Sequence, residues 1–311
     1  VLVGLWLQVE KARAPRDPPE VAIGQPVDQG RVEITPLSLS LGPPRREGEP
    51  ERLLLRARLL NLTGESQLAV FGYPAHPPEL AAAGSVWPEP EVTLDRDGEF
   101  LAQLHPRLAE QVTLAWQVPP GWQPGPVSGA MIRIGSIAIG LVGAALLGAM
   151  MQTAPDYDSV VQPFSSAVAA GEPGEARSFR ARFTALRLAG RIAFRRYGRD
   201  LVRDSDGVFL IAEIEAEAIG TSLRLDAVWQ GASGRRYALS RRAEGIPRGL
   251  ESRWFQPGLS NRAVAVFELP EDEVAGGALV LTGSFTAIFD SALHMAPPAL
   301  PARQPIIRFA P

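Results

Sequence analysis

Apolar and polar residues alternate along two stretches of this chain, and between them lies a run that does not alternate at all. In residues 52–60, Leu53, Leu55, Ala57 and Leu59 oppose Arg52, Leu54, Arg56 and Arg58, the period of two that turns one face of a strand into a core. Residues 30–35, 91–94 and 112–118 read as further strands. The order recurs downstream at 177–188, 207–218, 223–229 and 263–270. Val112-Thr-Leu-Ala-Trp-Gln-Val-Pro119 and Ala263-Val-Ala-Val-Phe-Glu-Leu-Pro270 share an ending: aromatic, polar, aliphatic, then a proline that stops the strand. Asp95-Arg-Asp-Gly98 and Gly231-Ala-Ser-Gly234 supply a hairpin-like turn in each half. At about seven short strands in about 110 residues, each half predicts an immunoglobulin-like β-sandwich.

The intervening run, 134–151, has four glycines and no Asp, Glu, Lys or Arg. At about 1.5 Å per residue it would cover roughly 27 Å as a helix, near the thickness of a hydrocarbon core. The expectation is a transmembrane helix or signal anchor over 132–152. Ser136, Gly140, Ala144 and Gly148, four residues apart, would form a small-residue stripe for helix packing. Met131-Ile-Arg133 directly ahead of the run also reads as an independent start. Residues 1–8 read as the end of a truncated membrane helix and 9–20 as a proline-stiffened stalk. Sandwich domains then occupy 21–130 and 176–295, joined by a linker at 153–175, with a Pro-rich tail at 296–311. The basic residues near 11–16 and Arg133 and the acids Asp156 and Asp158 fix the topology only weakly.

A net charge of −3 leaves no global basic field for a phosphate backbone, so nucleic acid is not an expected partner. No cysteine occurs, which excludes disulfides, thiolate metal sites and thiol nucleophiles; the three histidines are scattered, and no G-x-S-x-G is present. No catalytic, cofactor or metal residues are expected. Asp95, Asp97 and Glu99, and Asp204 with Asp206, fit polar turns better than calcium loops. Glu213, Glu215 and Glu217 share one strand face and could meet Arg235, Arg236, Arg241 and Arg242 or a cationic partner, a candidate interaction face. The bland reading of those glutamates is a solvated face with cross-strand ion pairs. The Arg-rich stretch 177–199 reads as a basic strand and hairpin, or as a contact for anionic lipid. Asn61-Leu-Thr63 fits a glycosylation acceptor or a turn.

Gly207-Val-Phe-Leu-Ile-Ala-Glu-Ile, Asp226-Ala-Val-Trp, Gly234-Arg-Arg-Tyr237, Gln256-Pro-Gly258 and Val266-Phe-Glu-Leu-Pro270 together resemble the telokin-like, immunoglobulin-fold domains of bacterial membrane-anchored and exported proteins, over about residues 175–290. The first half is similar in a more divergent way. The resemblance implies extracytoplasmic interaction modules and is nearly silent on activity. The expected protein is therefore a non-enzymatic binding or accessory component of a bacterial envelope assembly. It would sit at the inner membrane with the second domain outside, its partners the membrane and other membrane or envelope proteins. Two rival readings are a ligand-carrier or enzyme with a site between the sandwiches, and a fusion of two anchored proteins without joint activity.

Overall fold

In the computed structural model the described residues are 23–43, 50–68, 78–82, 85–87, 89–118, 131–133, 164–284 and 291–310, with backbone alone described at 79–82, 85–87 and 131–133. They form nineteen strands and three 3₁₀ turns, with no α-helix among them. This corrects the expected fold class of two sandwiches separated by a transmembrane helix: no helix among the described residues is long and apolar enough to cross a membrane. The physical reason lies in what the prediction read. Freedom from charge is a property of composition and does not by itself specify a helix. The run 134–151 itself, with Ser136, Gly140, Ala144 and Gly148, lies outside the described residues, as do 1–8 and 9–20.

The chain divides into two units. The second consists of 60–68, 96–110 and 162–311, so two segments of the first half belong to it.

The first unit holds a sheet ordered β1-β2-β3-β7-β6, from Val27–Asp28, Val32–Gly42, Arg52–Asn61, Ala109–Gln117 and Glu91–Leu94. The last residues of β3 and the first of β7 count with the second unit. A separate sheet joins β5 (Ser85–Trp87), β4 (Glu79–Ala82) and β8 (Met131–Arg133). On β3 the inward row is Leu53, Leu55, Ala57 and Leu59, all buried, as the alternation predicts. Asp95 closes β6 by accepting from Arg56 Nε at 2.8 Å and Thr113 Oγ1 at 2.6 Å.

The second unit is a β-sandwich. One sheet runs β10 (Pro173–Glu175), β11 (Phe179–Arg196), β12 (Arg199–Ala218) and β15 (Asn261–Leu269). The other runs β14 (Arg236–Ala238), β13 (Leu225–Gln230), β16 (Ala278–Gly283), β17 (Ser291–Met295) and β9 (Phe164–Val168). Phe179, Phe183, Leu210, Ile214, Trp229, Phe267, Leu279, Leu281 and Leu293 fill the layer between them. The first sheet also buries its other face: Ala189, Ile192, Phe194, Phe209, Ile211, Val264, Val266 and Ile307 form a second cluster. Burial on both faces explains why the long strands β11 and β12 carry consecutive apolar residues where a one-sided strand would alternate.

The two halves share a partial plan. β3 neighbours β2 and β7, and β12 likewise pairs with β11 and β15. The third runs differ: β6 pairs with β7 in its own sheet, whereas β13 pairs with β16 in the other sheet of its sandwich. Local alternation is blind to that choice, because either partner buries the same face of the strand.

Candidate functional site

Strand β15 is buried on both faces from Ala263 to Leu269, and within that run Glu268 is fully shielded from solvent. A lone carboxylate there would be prohibitively costly, so it is paired. Arg242, in the 3₁₀ turn Arg241–Ala243, donates from Nη1 to both Glu268 oxygens at 2.8 and 3.0 Å, while its Nη2 pairs with Asp97. Its guanidinium lies 5.7 Å from the centre of the Phe209 ring. Arg96 Nη2 donates to Glu110 Oε1 at 2.8 Å and to Glu268 Oε1 at 3.3 Å, and Nη1 stands 3.6 Å from Asp206. Arg203 Nη2 and Glu99 Oε1 pair at 2.7 Å.

Local sequence holds these groups in place. The turn ending at Gly98 has φ +70, a conformation glycine adopts without strain, and Asp97 Oδ1 accepts the Glu99 N–H at 3.2 Å. Farther along the same segment, Gln103 Oε1 accepts the Arg241 N–H at 2.8 Å, setting the turn that carries Arg242. Glu110 falls on the row that continues through Val112, Leu114 and Trp116, so the period of two carries a carboxylate into a buried position.

Burial pushes the Glu110 carboxyl up to about 7, with the neighbouring Glu268 charge adding to the rise against the pull of Arg96. Burial acts on Glu268 in the same sense, but Arg242 and Arg96 outweigh it and hold that carboxyl below its usual range. For Arg242, burial opposes the cation, yet Glu268 and Asp97 prevail and raise its pKa. Burial lowers His105 to about 4, leaving a neutral imidazole at neutral pH. Its Nδ1 is 2.9 Å from Ser66 Oγ, which also accepts the Ala238 N–H at 3.1 Å.

A second buried carboxylate, Glu273, accepts from the Ser233 N–H at 3.0 Å, Ser233 Oγ at 2.7 Å and Arg107 Nη1 at 2.9 Å. Its own carbonyl accepts from Trp229 Nε1 at 3.0 Å. Burial would raise this group, but Ser233 and Arg107 bring it down.

Two clefts open on this unit. One of about 180 Å³ is lined by Thr184, Glu213, Arg248 and Arg262 among others. The other, about 380 Å³, is lined by Arg195, Arg196, Tyr197, Glu244, Gly245, Glu251 and Ser252. Neither is lined by a member of the Glu268 cluster. Among the described residues no group of three or more His, Cys, Asp or Glu is placed to hold a metal ion.

The expected interaction face is not assembled. Glu213, Glu215 and Glu217 lie on β12 and meet the neighbouring strands. Arg187 Nη2 reaches Glu213 at 2.7 Å, Arg180 Nη1 reaches Glu217 at 3.4 Å, and Glu215 lies between Arg182 and Arg262 in register. Arg235 and Arg236, at the far edge of the other sheet, meet Glu273 at 3.5 Å and Glu65 at 3.6 Å. The Asn61-Leu62-Thr63 triplet is a turn: Asn61 Oδ1 accepts from the Thr63 N–H and Oγ1, and Nδ2 donates to Glu65 O and Leu104 O.

The tip of the β11–β12 hairpin is the feature that composition alone did not single out. Tyr197 and Gly198 both have positive φ, the geometry of a tight two-residue turn whose twist matches its strands. Tyr197 is 90% exposed, the Arg196 guanidinium sits 5.2 Å from its ring centre, and Arg195 and Arg199 flank it. Among the described residues no carboxylate lies within ion-pair distance of Arg195 or Arg199; Arg195 Nη2 donates to the Gly198 carbonyl at 3.3 Å. The Arg-rich stretch was visible in sequence, but which of its members end at a solvent-facing turn depends on hairpin register.

No family model matches the chain, and no curated protein sequence does. Among solved structures, an uncharacterized β-sandwich protein from Clostridium difficile 630 aligns at 10% identity over 46% of this chain and 100% of its own, with a TM-score of 0.29. A conserved hypothetical protein from Bacillus anthracis aligns at 11% identity over 39% and 93%, with a TM-score of 0.28. Scores of this size carry no assignment of function to this chain.

Proposed function

We propose that the second unit is an immunoglobulin-type interaction module that works without catalysis and meets a protein partner through the tip of the β11–β12 hairpin. Strand pairing supports the immunoglobulin-type reading. β11, β12 and β15 stand where strands A, B and E stand in such a sandwich, and β14, β13, β16 and β17 where C′, C, F and G do. Trp229, fully buried on the C-position strand, packs with its ring centre 6.5 Å from that of Phe267.

The observation that carries the binding role is Tyr197, held 90% exposed on a two-residue turn between Arg195 and Arg199, with Arg196 over its ring and 3.7 Å from Glu244. An exposed aromatic with arginines is the composition that dominates binding energy at protein interfaces, and Arg195 and Arg199, which pair with no carboxylate among the described residues, favour an acidic surface opposite. The Glu268 cluster plays a different part. Its charges pair with one another and border neither cleft, so it serves as a clamp that holds the segment 96–110 in the sandwich.

The test is a photoreactive amino acid placed at Tyr197 in living cells, with Leu300, an exposed position elsewhere on the unit, as control. A discrete protein adduct at Tyr197 and none at Leu300 is expected. Equal background at both positions would overturn the reading.

A further inference from the structure

The outer face of the first sheet of the sandwich changes character partway along its strands. Its apolar cluster ends with Ile211 on β12 and Val264 on β15, and the next residues on those two rows are Glu213 and Arg262. There the cleft of about 180 Å³ opens, bordered by Thr184, Glu213, Arg248 and Arg262. A register shift in β11 between Phe183 and Ala185 sets Thr184 outside the ladder, and its Oγ1 donates to the Glu213 carbonyl at 2.9 Å. The Glu213 carboxylate is already engaged by Arg187 Nη2 at 2.7 Å. Among the described residues no carboxylate lies within ion-pair distance of Arg248 or Arg262, although Glu215 stands opposite Arg262 in register. The cleft thus carries an excess of positive charge.

Arg248 reaches the cleft at a conformational cost. Residues 246–249 form a turn closed by the Gly249 N–H on the Ile246 carbonyl at 3.1 Å, with Pro247 second and Arg248 third at φ 62. Proline second and positive φ third is the pattern of a type II turn, whose third position selects glycine because a side chain there is strained. The chain has glycine one residue later, yet it carries arginine at the strained place. The Arg248 carbonyl accepts the Val264 N–H at 2.9 Å, which docks the turn against β15 so that Arg248 and Arg262 border the same cleft. Strain retained in a residue that lines a cleft points to use of its side chain. We propose that the cleft binds a compact phosphate-type dianion between the Arg248 and Arg262 guanidiniums. Two planar forks of donors match the oxygens of such an anion, and two cations without acid partners favour a double charge over a single one. The volume has room for about six water molecules, enough for phosphate or a small phosphomonoester and too little for a peptide strand. This goes beyond the hairpin-tip reading and uses none of its residues, so the two fail separately.

Calorimetric titration of the full chain with inorganic phosphate at fixed ionic strength tests the site. Saturable binding is expected, with acetate about tenfold or more weaker. Arg248→Gly and Arg262→Gln should each weaken phosphate binding about tenfold or more, through loss of a charged hydrogen-bonding contact. Arg308→Gln removes an exposed arginine that does not border the cleft and should bind as the parent does. Arg248→Gly carries a second reading, because glycine relieves the turn: its melting temperature should equal or exceed the parent's while phosphate binding falls. A lower melting temperature would mean that Arg248 serves the turn itself and would overturn the strain argument. Glycerol 3-phosphate in place of phosphate separates the two sources of the anion. Tighter binding of the ester assigns a phosphomonoester, and equal or weaker binding assigns the free ion. The site is overturned if phosphate does not saturate, if binding survives both cleft substitutions, or if Arg308→Gln weakens it equally.

Discussion

Phe209 and Glu268 stand opposite each other across the β12–β15 ladder, and Arg242 serves both, its guanidinium 5.7 Å from the ring centre and its Nη1 2.8 Å from the carboxylate. A full negative charge is thereby held inside an apolar face without exposure to water. Removing either partner breaks a buried pair and leaves Glu268 to Arg96 alone or Arg242 to Asp97 alone, which costs up to about 3–5 kcal/mol. Glu268→Ala and Arg242→Ala are each expected to destabilise by that amount. The double variant should lose less than their sum, with a coupling of about 1–3 kcal/mol. Chemical denaturation of the four proteins in the cycle measures it.

Glu110 and His105 set opposing pH dependences. Glu110 binds its proton more tightly folded than unfolded, about 7 against an ordinary 4.5, so its contribution is present at low pH and lost as pH rises through 7. His105 does the reverse: the unfolded chain binds the proton more tightly, 6.5 against about 4, so stability grows as pH rises from 4 to 6.5. At 1.36 kcal/mol per unit each effect amounts to about 3 kcal/mol, and they largely cancel between pH 4.5 and 6.5. Glu110→Gln is expected to leave a stability that climbs across that window, and His105→Gln one that falls. Urea midpoints at pH 4.5 and 6.5 give the slopes; parallel slopes in both variants would refute the assignment.

Gly207 occupies a position with no room for a side chain, since a Cβ there would lie 2.3 Å from the Leu269 carbonyl oxygen. The obstruction is backbone and cannot rotate away, so Gly207→Ala is expected to lower stability by about 2–3 kcal/mol. Gly98→Ala meets open space but must hold φ +70, and about 1 kcal/mol is expected. Thermal melts of the two variants should rank them in that order.

The strands were legible because alternation is local: β3, β6 and β15 lie within two residues of where the pattern puts them. The clamp was not, because its pairs join residues far apart in sequence, Asp97 to Arg242 and Arg96 to Glu268 among them. Read locally, Asp97 is a polar turn residue and Arg242 one of four basic residues near a hairpin. One signal was available: Glu268 interrupts Val-Phe-Glu-Leu, a run apolar on both faces, and a charge so placed must have partners. The glutamate face met the wrong arginines in the sequence reading for the same reason. Register pairs Glu217 with Arg180, while Arg235 and Arg236 belong to the opposite sheet.

The central claim is that the hairpin tip is a contact surface and not merely a solvated turn. Arg195 and Arg199 are exposed and lie outside the core, so replacing both with glutamate should leave the melting temperature unchanged. The decisive measurement is the yield of the photoadduct at Tyr197 in cells producing the Arg195→Glu, Arg199→Glu protein, compared with the parent. The account predicts that the adduct falls to the Leu300 background while the fold is retained. An undiminished adduct in a normally folded variant would contradict it.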